Sequence, residues 1–229
     1  MIKVFDDVLN PEELSSLSEG LNLYKNYVVC PHTDRMLEAN FFKDSLNNIR
    51  PRAQCLKPSA GHDDLKYNAN LKKIVDTLNE REKMHDSAHI GQWITKKHFP
   101  KAMDTLISKC PVELKGVEWW SYDSINVGSD KTIAVPMHVD YDGGLEMLTG
   151  EVVCPEVTYV FYDEVEEGLE GGELILYDTD KKTVLQKIEP KKNRLIVFSG
   201  GLPHEVLRFV GRRRSFIFLP WKERPREFI

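Results

Sequence analysis

From Gly116 onward the chain breaks into short runs of β-branched and aromatic residues separated by Gly, Pro, Asp and Asn. That punctuation limits the possible folds more than any other feature. Strands are predicted over 117–127, 133–139, 157–162, 173–177, 183–188, 194–198, 205–209 and 215–219, and no helical window is predicted between them. Seven or eight short strands at such spacing read as an antiparallel sandwich or barrel.

The first half has a different texture. Ile2 to Phe5 is a short β-branched and aromatic run, and Asn10-Pro11-Glu12-Glu13 has the form of a helix start: a capping Asn, Pro at the first helical position and Glu three residues after the cap. The helix is expected to run to about residue 21. Leu71, Ile74, Val75 and Leu78 stand at helical spacing within 71–84, and Met103, Leu106 and Ile107 do so within 101–110. The chain is thus helix-rich up to about 115 and β-rich after it. With 229 residues and no repeat, low-complexity tract or linker, a single domain over 1–229 is expected, its β core at 116–229 and helices from the N-terminal half supporting it.

A formal net charge of −5 argues against a general nucleic-acid binder, so the run Arg212-Arg213-Arg214 needs a local explanation. Cys30, Cys55, Cys110 and Cys154 show no C-x-x-C spacing and read as free thiols of a reducing compartment. Asp6 and Asp7 fall where a signal peptide would have its apolar core, and no run approaches the length of a membrane span. A cytoplasmic location is the expectation.

Within the β half, His138-Val139-Asp140 places an imidazole and a carboxylate at i and i+2 of a predicted strand, hence on one face. His204 follows Gly200-Gly201-Leu202-Pro203, a tight connection that releases an imidazole at the start of another strand. If that strand is a neighbour, two histidines and one carboxylate meet with the opposite positions open, an arrangement diagnostic of non-haem iron(II) oxygenases. The same alternation puts Arg213 and Ser215 on one face of the last strand, where a guanidinium and a hydroxyl can hold a carboxylate. Gly171-Gly172-Glu173-Leu174 allows a sharp turn into a strand between the ligand-bearing segments. His85 and His89 stand at i, i+4 with no third ligand near, and they, like His32, His62 and His98, are assigned no role.

The order His138-x-Asp140, Gly171-Gly172-Glu173-Leu174, Pro190-Lys191-Lys192-Asn193-Arg194-Leu195-Ile196-Val197-Phe198, His204-Glu205-Val206 and Gly211-x-Arg213 resembles the 2-oxoglutarate and iron(II)-dependent dioxygenases. It is most similar to their prolyl-4-hydroxylase-like branch. Phe161-Tyr162-Asp163-Glu164-Val165-Glu166-Glu167 and the opening from Val4 to Glu13 share in the likeness, which runs from about 117 to 221.

The resemblance implies a double-stranded β-helix, a jelly-roll or cupin-like barrel of α+β class. It implies iron(II) on His138, Asp140 and His204, with 2-oxoglutarate as co-substrate and O2 as oxidant. The distal carboxylate of the oxo-acid falls to Arg213, two residues after Gly211, with Ser215 as a second donor. Arg214 then points away and Arg212 precedes the strand, both as solvated surface charges. Tyr122 is the candidate for a tyrosine that this branch often supplies, and Tyr159 is its rival. Arg208 stands where a proline is common, and the connection to Gly211 is one residue short.

Residues 141–155 exceed a simple hairpin and read either as a lid over the metal, favoured because the segment starts at a ligand, or as a solvated loop. Trp119, Trp120, Tyr141 and Met147 are offered as pocket lining or barrel packing. The implied reaction oxidises 2-oxoglutarate to succinate and carbon dioxide while hydroxylating a C–H bond of an amino-acid, peptidyl or small-metabolite substrate. Halogenating relatives lack a carboxylate at the position of Asp140, so hydroxylation is the default. Two alternatives stay open: a cupin-like metalloenzyme that needs no oxo-acid, and a β-sandwich binding module without catalysis.

Overall fold

A computed structural model describes residues 1–29, 92–126 and 133–226. The helix expected at 71–84, Cys30, Cys55, His32, His62, His85 and His89 lie outside the described residues. What is described is built on two antiparallel sheets. The larger has the order β1 (Ile2–Phe5), β9 (Arg194–Ser199), β5 (Val157–Val165), β11 (Phe209–Trp221), β3 (Gly116–Asn126) and β2 (Gln92–Thr95), with the two-residue β6 (Glu170–Gly171) joined to β11. The smaller has the order β4 (Ile133–His138), β10 (His204–Leu207), β7 (Leu174–Tyr177) and β8 (Val184–Ile188). This is the double-stranded β-helix expected. The N-terminal half gives two strands to it, β1 and β2, so the division at 115 separates helices from strands only in part.

Strand alternation sorts the larger sheet's side chains onto two faces. Tyr159, Phe161, Leu195, Val197, Phe216 and Phe218 point outward and form one core with α1 (Pro11–Val29) and α2 (Lys101–Ser108), the helices contributing Leu17, Leu21, Met103 and Leu106. Val160, Tyr162, Ile196 and Phe198 point inward and meet Leu174, Leu176 and Ile188 of the smaller sheet. The inward-facing positions form the wall in which the polar candidates sit.

The start of α1 is a reciprocal cap: the Glu13 amide donates to Asn10 Oδ1 at 2.9 Å, and the Asn10 amide donates to the Glu13 carboxylate at 3.3 Å. The helix runs to Val29, beyond the expected residue 21.

Three expectations are corrected. A helix does interrupt the strands: α3 (Gly143–Thr149) begins where Asp142 Oδ1 accepts from the Leu145 amide at 2.9 Å and ends at Gly150, φ 78°. The run expected over 205–209 is two strands, because β10 ends at Leu207 and β11 begins at Phe209. Arg212 therefore lies within β11 and does not precede it. β7, between the ligand segments in sequence, flanks β10 on the side away from β4 in space.

Candidate metal centre

β4 and β10 pair directly, with His204 opposite His138. β4 ends at His138, and the segment leaving it carries the Asp140 carboxylate between the two imidazoles. Its Oδ1 lies 3.7 Å from His138 Nε2 and its Oδ2 lies 3.7 Å from His204 Nε2. The ring centroids are 4.2 Å apart, and one ligand atom from each of the three residues falls within 4.8 Å of the others. Among the described residues this is the one such cluster.

Each imidazole is fixed from behind. His138 Nδ1 lies 2.8 Å from the Pro136 carbonyl and His204 Nδ1 lies 3.0 Å from the Leu202 carbonyl. A carbonyl only accepts, so both Nδ1 atoms carry a proton, and the neutral imidazoles turn the Nε2 lone pairs toward the centre. Burial pushes the His204 imidazole below its ordinary pKa, opposed by the Asp140 carboxylate and assisted by His138. His204 is thus kept in the neutral form a metal requires. The side chains of Asp140 and His204 are 6% and 7% exposed, whereas that of His138 is 42% exposed, so the centre opens to solvent on the His138 side. Cys154 is half-buried nearby. Burial and the Asp140 charge push its thiol up, and its sulfur is not among the ligand atoms that converge there.

Arg213 lies deeper in the barrel wall and is buried. One terminal nitrogen donates to the Gly172 carbonyl at 3.2 Å and to the Tyr162 hydroxyl at 3.3 Å, and the guanidinium stands over the Phe209 ring at 4.8 Å. Its Nε is buried without a hydrogen-bond partner, and among the described residues no acid is paired with it. A buried, uncompensated cation is costly, and a carboxylate-bearing ligand would relieve that cost. Gly172, φ 78°, makes the room: a Cβ there would come within 3.1 Å of Phe209 and 3.6 Å of Arg213 Cδ. Ser215 is buried and faces Tyr122 on β3 and Tyr162 on β5, so these three side chains share the inner face with Arg213.

Tyr162 is the residue that sequence reasoning missed. Tyr159, the rival to Tyr122, is corrected: odd-numbered at this end of β5, it points outward, donates to the Cys110 carbonyl and stacks on Phe218 at 4.6 Å. Trp119 likewise packs outward, against Phe216. Trp120 faces inward and packs beside Trp93, Leu219 and Trp221 at the far end of the barrel. The side chain of Met147 lies outside the description.

Arg214 is also corrected. It points away from Arg213 but is not a solvated charge: it is fully buried and forks onto Asp163, with a further contact to Glu164 at 3.0 Å. A bulge in β5 sets this up, since Arg214 pairs with Glu164 and Ser215 with Tyr162, leaving Asp163 as the extra residue. Both acids thereby face Arg214, and burial of Asp163 raises its carboxyl against the pull of Arg214 and of the Ser18 hydroxyl from α1. Arg212 keeps a half-exposed pairing with Glu164 at 3.1 Å.

The donor set, with two imidazole Nε2 atoms and one carboxylate, suits a first-row divalent metal, and the unpaired Arg213 suits an acidic co-substrate. Comparison with known proteins agrees over the same stretch. Residues 131–221, less than half of the chain, match the family model of the 2OG-Fe(II) oxygenase superfamily. No curated protein matches. Similar solved structures include a prolyl-4-hydroxylase from Pseudomonas putida, 18% identical, TM-score 0.39, covering 68% of this chain and 82% of that one. Another is a prolyl hydroxylase from Trichoplax adhaerens in complex with a hypoxia inducible factor peptide fragment, 16% identical, TM-score 0.41, covering 98% and 85%. A third is the protein IDO from Bacillus thuringiensis, 12% identical, TM-score 0.40, covering 97% and 91%.

Proposed function

We propose that this chain, whose residues 131–221 belong to the 2OG-Fe(II) oxygenase superfamily, hydroxylates an unactivated C–H bond of an amino-acid, peptidyl or small-metabolite substrate, prolyl substrates included. The observation that carries the reading is the pairing of a two-histidine, one-carboxylate cluster with a buried arginine in the same barrel that, among the described residues, faces no acid. His138, Asp140 and His204 would hold the iron through two Nε2 atoms and a carboxylate oxygen. When bound, iron(II) with 2-oxoglutarate and O2 supplies the oxidising power, yielding succinate, carbon dioxide and the hydroxylated product.

The chain's own part is positioning. The Pro136 and Leu202 carbonyls hold the imidazole protons at Nδ1, away from the ligand side. Arg213 binds the distal carboxylate of the oxo-acid, with the Tyr162 hydroxyl beside it and Ser215 and Tyr122 on the same face. Phe209 stacks against the Arg213 guanidinium, and Leu174, Leu176 and Phe198 are buried in the same interior, where an ion pair would be stronger than in water. The substrate approaches on the His138 side, where the centre is open. The prolyl reading rests on the order of motifs alone.

A succinate-release screen across free amino acids, peptides and small metabolites, with iron(II) and 2-oxoglutarate, tests the proposal. Succinate above the substrate-free rate is expected for one class and is lost in the His138→Ala, Asp140→Ala double variant. Unchanged iron affinity and turnover in that variant would overturn it. Failure of the iron-loaded protein to bind 2-oxoglutarate in a calorimetric titration would favour the cupin-like alternative.

A further inference from the structure

Each of the three candidate ligands is held from behind by one hydrogen bond, and the third of these bonds is of a different kind. The histidines are held by backbone carbonyls, which any sequence supplies. Asp140 is held by a side chain: Thr158 Oγ1 donates to Asp140 Oδ2 at 2.6 Å, with the threonine fully buried. Thr158 lies on β5 opposite Phe198, so it belongs to the larger sheet and faces inward. Asp140 belongs to the segment leaving β4, in the smaller sheet. Phe198 in turn packs edge-on against His204, ring centroids 4.9 Å apart. The hydroxyl is therefore the polar link between the sheets at the centre itself.

Resting on the reading of the centre as a metal site, we propose that Thr158 is a positioning residue that reserves Asp140 Oδ2 and leaves Oδ1 as the oxygen that meets the metal. A threonine hydroxyl has one proton, and here it is spent on Oδ2. Among the described residues no hydrogen bond reaches Oδ1, and His138 Nε2 lies 3.7 Å from it. With Oδ2 engaged by the hydroxyl and turned toward Thr158, Oδ1 is the oxygen with both lone pairs uncommitted, and a carboxylate bound through it takes one position and leaves the others open. Without the hydroxyl, Oδ2 would be a buried charged oxygen lacking a donor, free to rotate toward the ion or toward His204. A carbonyl could not replace it, since a carbonyl has no proton to give.

The test uses the full chain with Co(II), which binds such centres and reports coordination by its visible absorption. Thr158→Val keeps the shape and removes the donor; Thr158→Ser keeps the donor and removes the methyl group. The Val variant is expected to bind Co(II) about 10- to 100-fold more weakly than the unaltered protein in calorimetric titration, as loss of an outer hydrogen bond to a ligand does elsewhere. Its Co(II) spectrum should change shape, and the Ser variant should recover both affinity and spectrum. Two results would overturn the proposal alone: a folded Val variant with unaltered affinity and spectrum, or a Ser variant as impaired as Val, which would assign the effect to the methyl group's packing. Should the Val variant fail to fold, the Ser variant still decides, because an affinity about 10-fold or more below the unaltered protein is incompatible with a role that resides in the hydroxyl. An unaltered protein that binds no Co(II) would overturn the metal-centre reading and this proposal with it.

Discussion

Arg213 and Arg214 are adjacent, alike and buried, yet they have opposite tasks, and substitution separates them. Among the described residues no acid is paired with Arg213, so Arg213→Ala strands no buried carboxylate and lowers 2-oxoglutarate affinity by roughly 30-fold or more, the lower end of what removing one member of a buried charge pair costs. Calorimetric titration of the metal-loaded variant checks this. Arg214 is matched by Asp163 and Glu164, and Arg214→Ala strands Asp163 as a buried charge. The expected loss is about 3 to 5 kcal/mol of stability, read from urea unfolding. His204 sets a pH dependence of its own. Its folded pKa lies below the ordinary ~6.5, so below that value the unfolded chain binds a proton that the folded chain resists. Stability of the metal-free protein is expected to be full above the ordinary value. It should fall as the pH drops from there toward the depressed one, and urea midpoints across pH 5 to 8 follow it. Constant midpoints across that range would contradict the assignment.

At the scale of elements, the β5 bulge explains both what was legible in the sequence and what was not. Period-two alternation carried Arg213 with Ser215, because β11 is regular against β3; Asp140 lies beyond the end of β4, and it meets His138 through the segment leaving that strand. Alternation failed at Asp163, where one extra residue turns two consecutive acids outward, and nothing in the letters marks a bulge. Hence Arg214 looked like a surface charge and Tyr162 went unremarked beside Tyr122. The loop at 141–155 hid its helix for another reason: its cap, Asp142, reads as one more acid after the metal motif. In the fold Asp142 Oδ1 caps α3, its amide donates to the Val153 carbonyl, and its Oδ2 accepts from the Arg226 amide at 2.8 Å. The segment following the ligand is thus moored at both ends. Asp142→Ala is expected to cost at least about 1 kcal/mol and to speed proteolytic cleavage within 143–150, with protection unchanged elsewhere. A similar mooring joins the opening segment to the motif around Asn193, whose side chain accepts from the Leu9 amide and donates to the Leu9 carbonyl, at 2.9 and 2.8 Å. Two sequence motifs nearly two hundred residues apart are therefore one contact.

For the whole molecule, the two sheets are unequal in support. The larger is covered by helices on its outer face, while β8 of the smaller carries exposed Val184 and Leu185. All three candidate ligands come from the smaller sheet or the segment leaving it, and a metal there fastens the less supported half. Divalent metal at about a hundred times its Kd should add ~2.7 kcal/mol, or roughly 5 to 10 °C in melting temperature for a domain of this size. Differential scanning calorimetry with and without Co(II) reads it. The uneven exposure of the ligands has a kinetic consequence as well. An ion leaving a centre sealed on two sides and open on the third releases the exposed histidine first, so a small chelator in solution can take up the position of His138 while Asp140 and His204 still hold. Metal exchange should then depend on the chelator's concentration and size, and substrate seated over His138 should act as the stopper.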